Sequence, residues 1–120
     1  MEDSIFRTIK SMLGYGTFYD PEDAFDQDIM VHINTILMVL TDLGVGKEDF
    51  TISDETATWD DFLSESNVRL DHVKSYMYLR VRQLFDPPAS SALATAFDKQ
   101  IEELGWRLRE KADYYEKIEA

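Results

Sequence analysis

With 120 residues and no cysteine, the chain is sized for one domain and has no disulfide, thiolate nucleophile or cysteine-bound metal available to it. An apolar fraction of 44% supports a packed core, while a net charge of −12 opposes the phosphate backbones of DNA and RNA. That charge is uneven: residues 1–66 hold 15 acids against Arg7, Lys10 and Lys47, whereas residues 67–120 hold nine charges of each sign.

The N-terminus, MEDSIFRTIK, lacks the basic-then-apolar plan of a signal peptide. The most apolar run, IMVHINTILMVL, has 12 residues and contains His32, Asn34 and Thr35. A membrane span needs about 20 apolar residues, so this run reads as a core helix and no membrane association is expected.

Helical spacing appears first over Ser4 to Leu13, where Ile5, Ile9 and Met12 share a face, Ser4 is placed to cap and Gly14 to stop. Asp20 before Pro21 has the pattern of a helix N-cap followed by proline at the first helical position. Whether 21–25 joins the next helix or forms a separate turn is open, although Phe25 continues the stripe of Ile29, Ile33, Ile36, Leu37 and Leu40. Met30, Val31, Met38 and Val39 widen that stripe until only a narrow polar strip remains, which predicts a helix central to a bundle. Gly44 is its expected left-handed stop.

Residues 45–66 change character. FTIS and ATW, separated by Asp54 and Glu55, allow a short β-hairpin over residues 50–59. Thr58 and Asp61 have the spacing of a capping box, predicting one helical turn over Trp59 to Leu63.

The next helix is expected over about Val68 to Phe85, with Leu70, Val73, Met77, Val81 and Leu84 as its stripe. Its Arg80 and Arg82 lie about 200° apart, too far around the helix to make one patch. Pro87 disfavours helical geometry at Asp86, and Pro87 with Pro88 removes two amide donors and fixes two φ angles. The pair therefore reads as a rigid corner, after which Ser90 or Ser91 caps a long last helix running toward Ile118. The stripes Leu70–Leu84 and Leu93–Leu108 are expected to meet as an antiparallel pair, with the last helix leaving the core beyond Leu108. The expected fold is an all-α small helical bundle with a long C-terminal helix, in a single domain with a core of about 4–109 and a helical extension over 110–120.

Chemistry is not visible in this pattern. His32 and His72 have no motif neighbours, LGVGK lacks the phosphate-loop spacing, and the acids Asp20 to Asp28 lack the glycine and terminal glutamate of a calcium loop. Asp60 and Asp61 suit helix capping better than acid–base work. No enzyme activity, cofactor or metal is expected. The informative residue is Trp106, which lies about 200° from Leu104 among Lys99, Glu102, Glu103, Arg109 and Asp113. Such a tryptophan is covered either by another element of its own chain, such as the first helix, or by another chain. Tyr114 and Tyr115, beyond the last stripe residue, favour a partner.

The order VHINTILMVLTDLGVG, TATWDDF, then VKSYMYLRVRQLFDPPASSALATAFDKQIEELGWRL resembles the small head–tail connector proteins of tailed bacteriophages and prophages, also described as head-completion adaptors or DNA-packaging proteins. The likeness spans about residues 25–109 and is most specific at FDPP and EELGWRL. It implies an all-α structural protein of the virion neck, assembled in the host bacterial cytoplasm. Such a protein forms a homo-oligomeric ring under the portal protein, lets packaged DNA pass without specific binding, and meets the next neck or tail-completion protein. Under that reading Trp106, Arg80, Arg82, Arg109, Tyr114 and Tyr115 are the expected interface residues. The alternative is a stand-alone acidic helical regulator, of anti-repressor or antitoxin type, that binds a basic protein.

Overall fold

A computed structural model describes residues 4–15, 23–64 and 68–119, the last seven of these as backbone alone. Among the described residues the protein is all-α, with helices α1 (Ile5–Leu13), α2 (Asp26–Asp42), α3 (Trp59–Leu63), α4 (Leu70–Phe85) and α5 (Ser91–Glu119) and no sheet.

Local signals account for the helix ends. The Arg7 N–H donates to Ser4 Oγ (3.2 Å), which caps α1 at the expected residue. Gly14 and Gly44 take the left-handed backbone anticipated after α1 and α2. At α3 the Asp61 N–H donates to Thr58 Oγ1 and the Thr58 N–H to Asp61 Oδ2, at 3.1 and 3.0 Å, completing the capping box. The α2 start differs from the sequence pattern. Asp20 and Pro21 lie outside the described residues, and Phe25 is the residue before the helix rather than part of it. Asp26 instead pairs with Lys10 at 2.9 Å, joining the last turn of α1 to the first of α2.

The hairpin expected over 50–59 is absent, for a backbone reason. The Asn34 carboxamide takes both polar groups of Ile52, accepting from its N–H (2.8 Å) and donating to its C=O (3.0 Å). On the other arm the Ala57 carbonyl accepts from the Ile5 N–H (3.1 Å), and Ser4 and Thr58 form an isolated bridge. With those groups already paired, the two arms have little left to offer each other. The segment is pinned to α1 by two further contacts. Arg7 forms a bidentate pair with Glu55 at 2.9 and 3.0 Å, and the buried Trp59 donates its indole N–H to Thr8 Oγ1 at 3.2 Å.

The central element is α4, not α2 as its broad apolar stripe suggests. α4 packs against α1, α2 and α5, whereas α2 leaves Val31 and Met38 60% and 62% exposed. One half of α4 carries Val73, Met77, Val81 and Phe85, and Phe85 meets Tyr15 of the α1 end and Phe25 beside α2 in a cluster of edge-on rings 5.3–5.6 Å apart. The opposite half carries His72, Ser75, Tyr76 and Gln83 and meets α5.

The α4–α5 pair is antiparallel, as expected, but uses a different face. Gln83 donates to Asp98 at 2.7 Å, Arg82 lies 5.1 Å from the Phe97 ring, Tyr76 packs on Gly105, and His72 and Ser75 share a cleft with Leu104 and Arg107. The Leu70–Leu84 stripe therefore does not form this seam; its middle residues face α1 and α2, and its ends, Leu70 and Leu84, are exposed. On α5, Phe97, Ile101 and Leu108 are buried as the stripe requires. Contact continues one turn past Leu108, where Ala112 stands against Gly44 so closely that a Cβ there would lie 3.3 Å from it.

Gly105 has no helix-forming merit, and its reason is this seam. A Cβ at Gly105 would stand 3.3 Å from Cε1 of Tyr76, a ring only 4% exposed with Arg80 stacked over it at 5.6 Å. An alanine normally gains about 1 kcal/mol over glycine in a helix. Gly105→Ala is expected to gain none of this in the natural chain, and to recover most of it when Tyr76→Leu has opened the seam. Chemical unfolding of the two single variants and the double variant checks this coupling.

Candidate interaction surfaces

Among the described residues no group of three or more His, Asp or Glu side chains is arranged to hold a metal. His32 is half-buried with its ring 6.1 Å from Phe85, and His72 is half-buried at the α4–α5 seam. No helix among these residues is long and apolar enough to cross a membrane.

Trp106 is 63% exposed, so of the two covers open from sequence, α1 is excluded. It stands between two shallow surface clefts. One is bounded by Val68, Arg69, His72, Leu108 and Lys111, and the other by Lys99, Glu102 and Glu103. α5 holds it there because the seam residues Phe97, Ile101, Gly105 and Leu108 occupy the opposite side of the helix.

The other expected interface residues divide. Arg109 is exposed on α5. The Tyr114 and Tyr115 side chains lie outside the described ones. Arg80 stacks on Tyr76, and its buried Nε has no acceptor among the described residues. Arg82 points the other way, as the spacing predicted. Its Nη1 donates to the Tyr78 hydroxyl at 3.1 Å and its Nε to the Asp86 carbonyl at 3.2 Å. The side chain thus satisfies a carbonyl just past the end of α4 and closes the corner from within the chain. Pro87 and Pro88 lie in the five-residue connection 86–90, flanked by the Asp86 N–H bonded to the Arg82 carbonyl (2.8 Å) and by Ser90 Oγ accepting from the Leu93 N–H (3.1 Å). Gln83–Asp98 ties the two helices just beyond the turn.

Sequence patterning missed a second surface. Val31 and Met38, seven residues apart on the outer side of α2, were absorbed into a stripe that read as core. Beside Met38 an open cleft of about 540 Å³ runs between α2 and residues 48–51, lined by Asn34, Thr35, Thr41, Asp42, Glu48 and Asp49 among others. The departure of 48–51 from α2 makes this cleft, and Asn34 anchors its floor through Ile52.

A family model described as phage connector protein matches residues 5–115. The chain belongs to the phage connector protein family. Neither the curated proteins nor the solved structures give a match. The family matched is structural, and its span takes in the Pro87–Pro88 corner, Trp106 and the α2 cleft alike.

Exposed carboxylates of this connector titrate low for local reasons. Hydrogen bonds from the Thr56 hydroxyl and N–H lower Asp54, the Arg7 guanidinium lowers Glu55, the Thr58 N–H lowers Asp61, and the Arg69 guanidinium lowers Asp71. A folded-state value below the unfolded one contributes stability that is present above the ordinary carboxylate range and is lost as pH falls below about 4. Asp61→Asn should therefore flatten the acid limb of stability against pH while leaving its slope at neutral pH unchanged, as thermal unfolding across that range will show.

The two tryptophans provide the matching test of the surface. Trp59→Ala empties a buried site and should cost about 3–5 kcal/mol, while Trp106→Ala should stay within about 0.5 kcal/mol of the natural chain. Comparable losses at both positions in urea titrations would place Trp106 in the folded core.

Proposed function

We propose that this connector is a structural adaptor of a phage or prophage neck, located in the virion and assembled in the bacterial cytoplasm. It oligomerises as a ring beneath the portal protein, extends the DNA channel, and presents its far side to the next neck or tail-completion protein. The family match over residues 5–115 carries this reading. The full length of the chain forms a single connector domain, with residues 110–120 as its helical extension.

The geometry supports the reading in two ways. A ring closed by head-to-tail contacts needs two different faces on each subunit. The exposed side of α5, with Trp106, and the exposed side of α2, with Val31 and Met38, are such a pair. Charge supports it as well. A conduit must let DNA slide, and acids along a channel repel phosphates and reduce adhesion. In this reading part of the 45–66 segment or the acidic 20–28 segment lines the lumen or faces the portal, and DNA passes without specific contacts. A basic lumen in the assembled ring would refute that orientation.

Removing the gene should leave DNA-filled heads unable to join tails, with infectious yield restored by the natural chain supplied in trans. Unchanged yield after deletion would end the adaptor reading. Trp106→Ala should reduce ring formation far more than it reduces folding, as electron microscopy of assembled necks beside unfolding data will reveal. Pro87→Ala with Pro88→Ala should give misshapen or incomplete rings, because the α4–α5 angle is no longer stiffened by two fixed φ angles. Normal rings from that variant would leave Arg82 and Gln83 as sufficient clasps.

A further inference from the structure

We propose that Trp106 of one copy seats in the cleft between α2 and residues 48–51 of the next copy, joining the chains head to tail. This rests on the ring reading above and names the surfaces that make it.

Position is the first support. α4 meets α5 and the α1–α2 layer with opposite halves, and although Ala112 of α5 reaches Gly44 past the end of α2, Trp106 and Met38 both stay exposed and do not meet within the chain. A contact between these two faces cannot close within one chain. Between copies it is heterologous and repeats, which is the geometry of a ring or filament.

Chemistry is the second. Trp106 is a projecting apolar side chain with one donor, and the α2 cleft offers apolar and accepting groups together. Met38 is 62% exposed at its edge, and a thioether suits an aromatic face. The Thr35 and Asp42 side chains supply oxygens for the indole N–H.

Charge is the third support and selects a second copy as the occupant. The charged residues lining the α2 cleft are Asp42, Glu48 and Asp49, all acidic. The cleft beside Trp106 carries Arg69, Arg107, Lys111 and Glu110; Arg69 is paired with Asp71 (2.8 Å) and Arg107 with Glu103 (2.9 Å), while Lys111 is in no ion pair among the described residues. Bringing the two faces together sets basic groups against acidic ones. Pairing the α2 cleft with itself sets acids together, which costs binding energy and suppresses that arrangement.

The absence of native cysteine makes a direct test available. Thr51→Cys marks the α2 cleft and Glu110→Cys marks the Trp106 side, both at exposed positions. Full-length chain carrying both, treated with a short bismaleimide at high protein concentration and again on DNA-filled heads, should give a ladder of cross-linked multimers. Each single-cysteine variant should remain uncross-linked. Adding Trp106→Ala to the double-cysteine chain should reduce the ladder about tenfold or more, the loss expected of a buried tryptophan anchor. Rings visible by electron microscopy without a ladder, or dimers from either single-cysteine variant, would overturn this pairing and leave the ring standing. A chain that forms no multimer alone or on heads would remove the ring and this interface together.

Discussion

The fold depends on one helix having to be covered on two sides. α4 buries Val73, Met77 and Val81 on one half and Tyr76 and Leu79 on the other, and no single neighbour can reach both. α1 and α2 cover the first half; α5 covers the second. Tyr76 sets how close α5 comes, because its ring occupies the space a side chain at residue 105 would need. A helix-weakening glycine is tolerated there since the seam it permits buries a large aromatic ring and holds Arg80 over it.

From that seam the placement of the exposed features follows. Once Gly105 faces Tyr76, Trp106 is turned about 100° away and cannot join the core. The corner at 86–90 then fixes the direction of a helix whose 29 residues span about 43 Å, close to the molecule's long dimension of 48 Å. Arg82, Gln83 and Ser90 secure that corner by hydrogen bonds, and the two prolines stiffen the chain between them. The tryptophan is therefore held on a rigid support, which reduces the ordering cost of any contact it makes.

Features written in a few neighbouring residues were legible in the sequence. Ser4, Thr58 with Asp61, Gly14, Gly44 and the FDPPASS corner each act within a turn or two, and each behaves as its local chemistry dictates. Long-range partners were not. The apolar stripe of α4 shows which positions avoid water, but not whether α2 or α5 does the covering, and Tyr76, off that stripe, gives no sign of the helix it meets. Gly105 and Tyr76 are 29 positions apart, and nothing at either one announces the other. The hairpin failed for the same reason: FTIS has strand-like residues, yet its backbone groups are claimed by an asparagine on α2, 18 positions away. On the surface, Trp106 was legible because it broke a clean pattern. Val31 and Met38 were hidden because they extended one.

The acidic excess has a consequence for how two exposed apolar faces coexist on one small protein. An apolar patch invites pairing with whatever is at hand, most often another copy of itself. Here a symmetric pair through α2 would bring Asp42, Glu48 and Asp49 of both copies together, whereas the α5 side offers Lys111 beside the ion-paired Arg69 and Arg107. Meeting the α5 side places cations against that acidic set. The acidic set thus biases the α2 face against a closed dimer and toward an unlike partner surface. Under the proposed ring reading this arrangement suits assembly on a template, since weak heterologous contacts become effective once neighbours are held side by side at high local concentration.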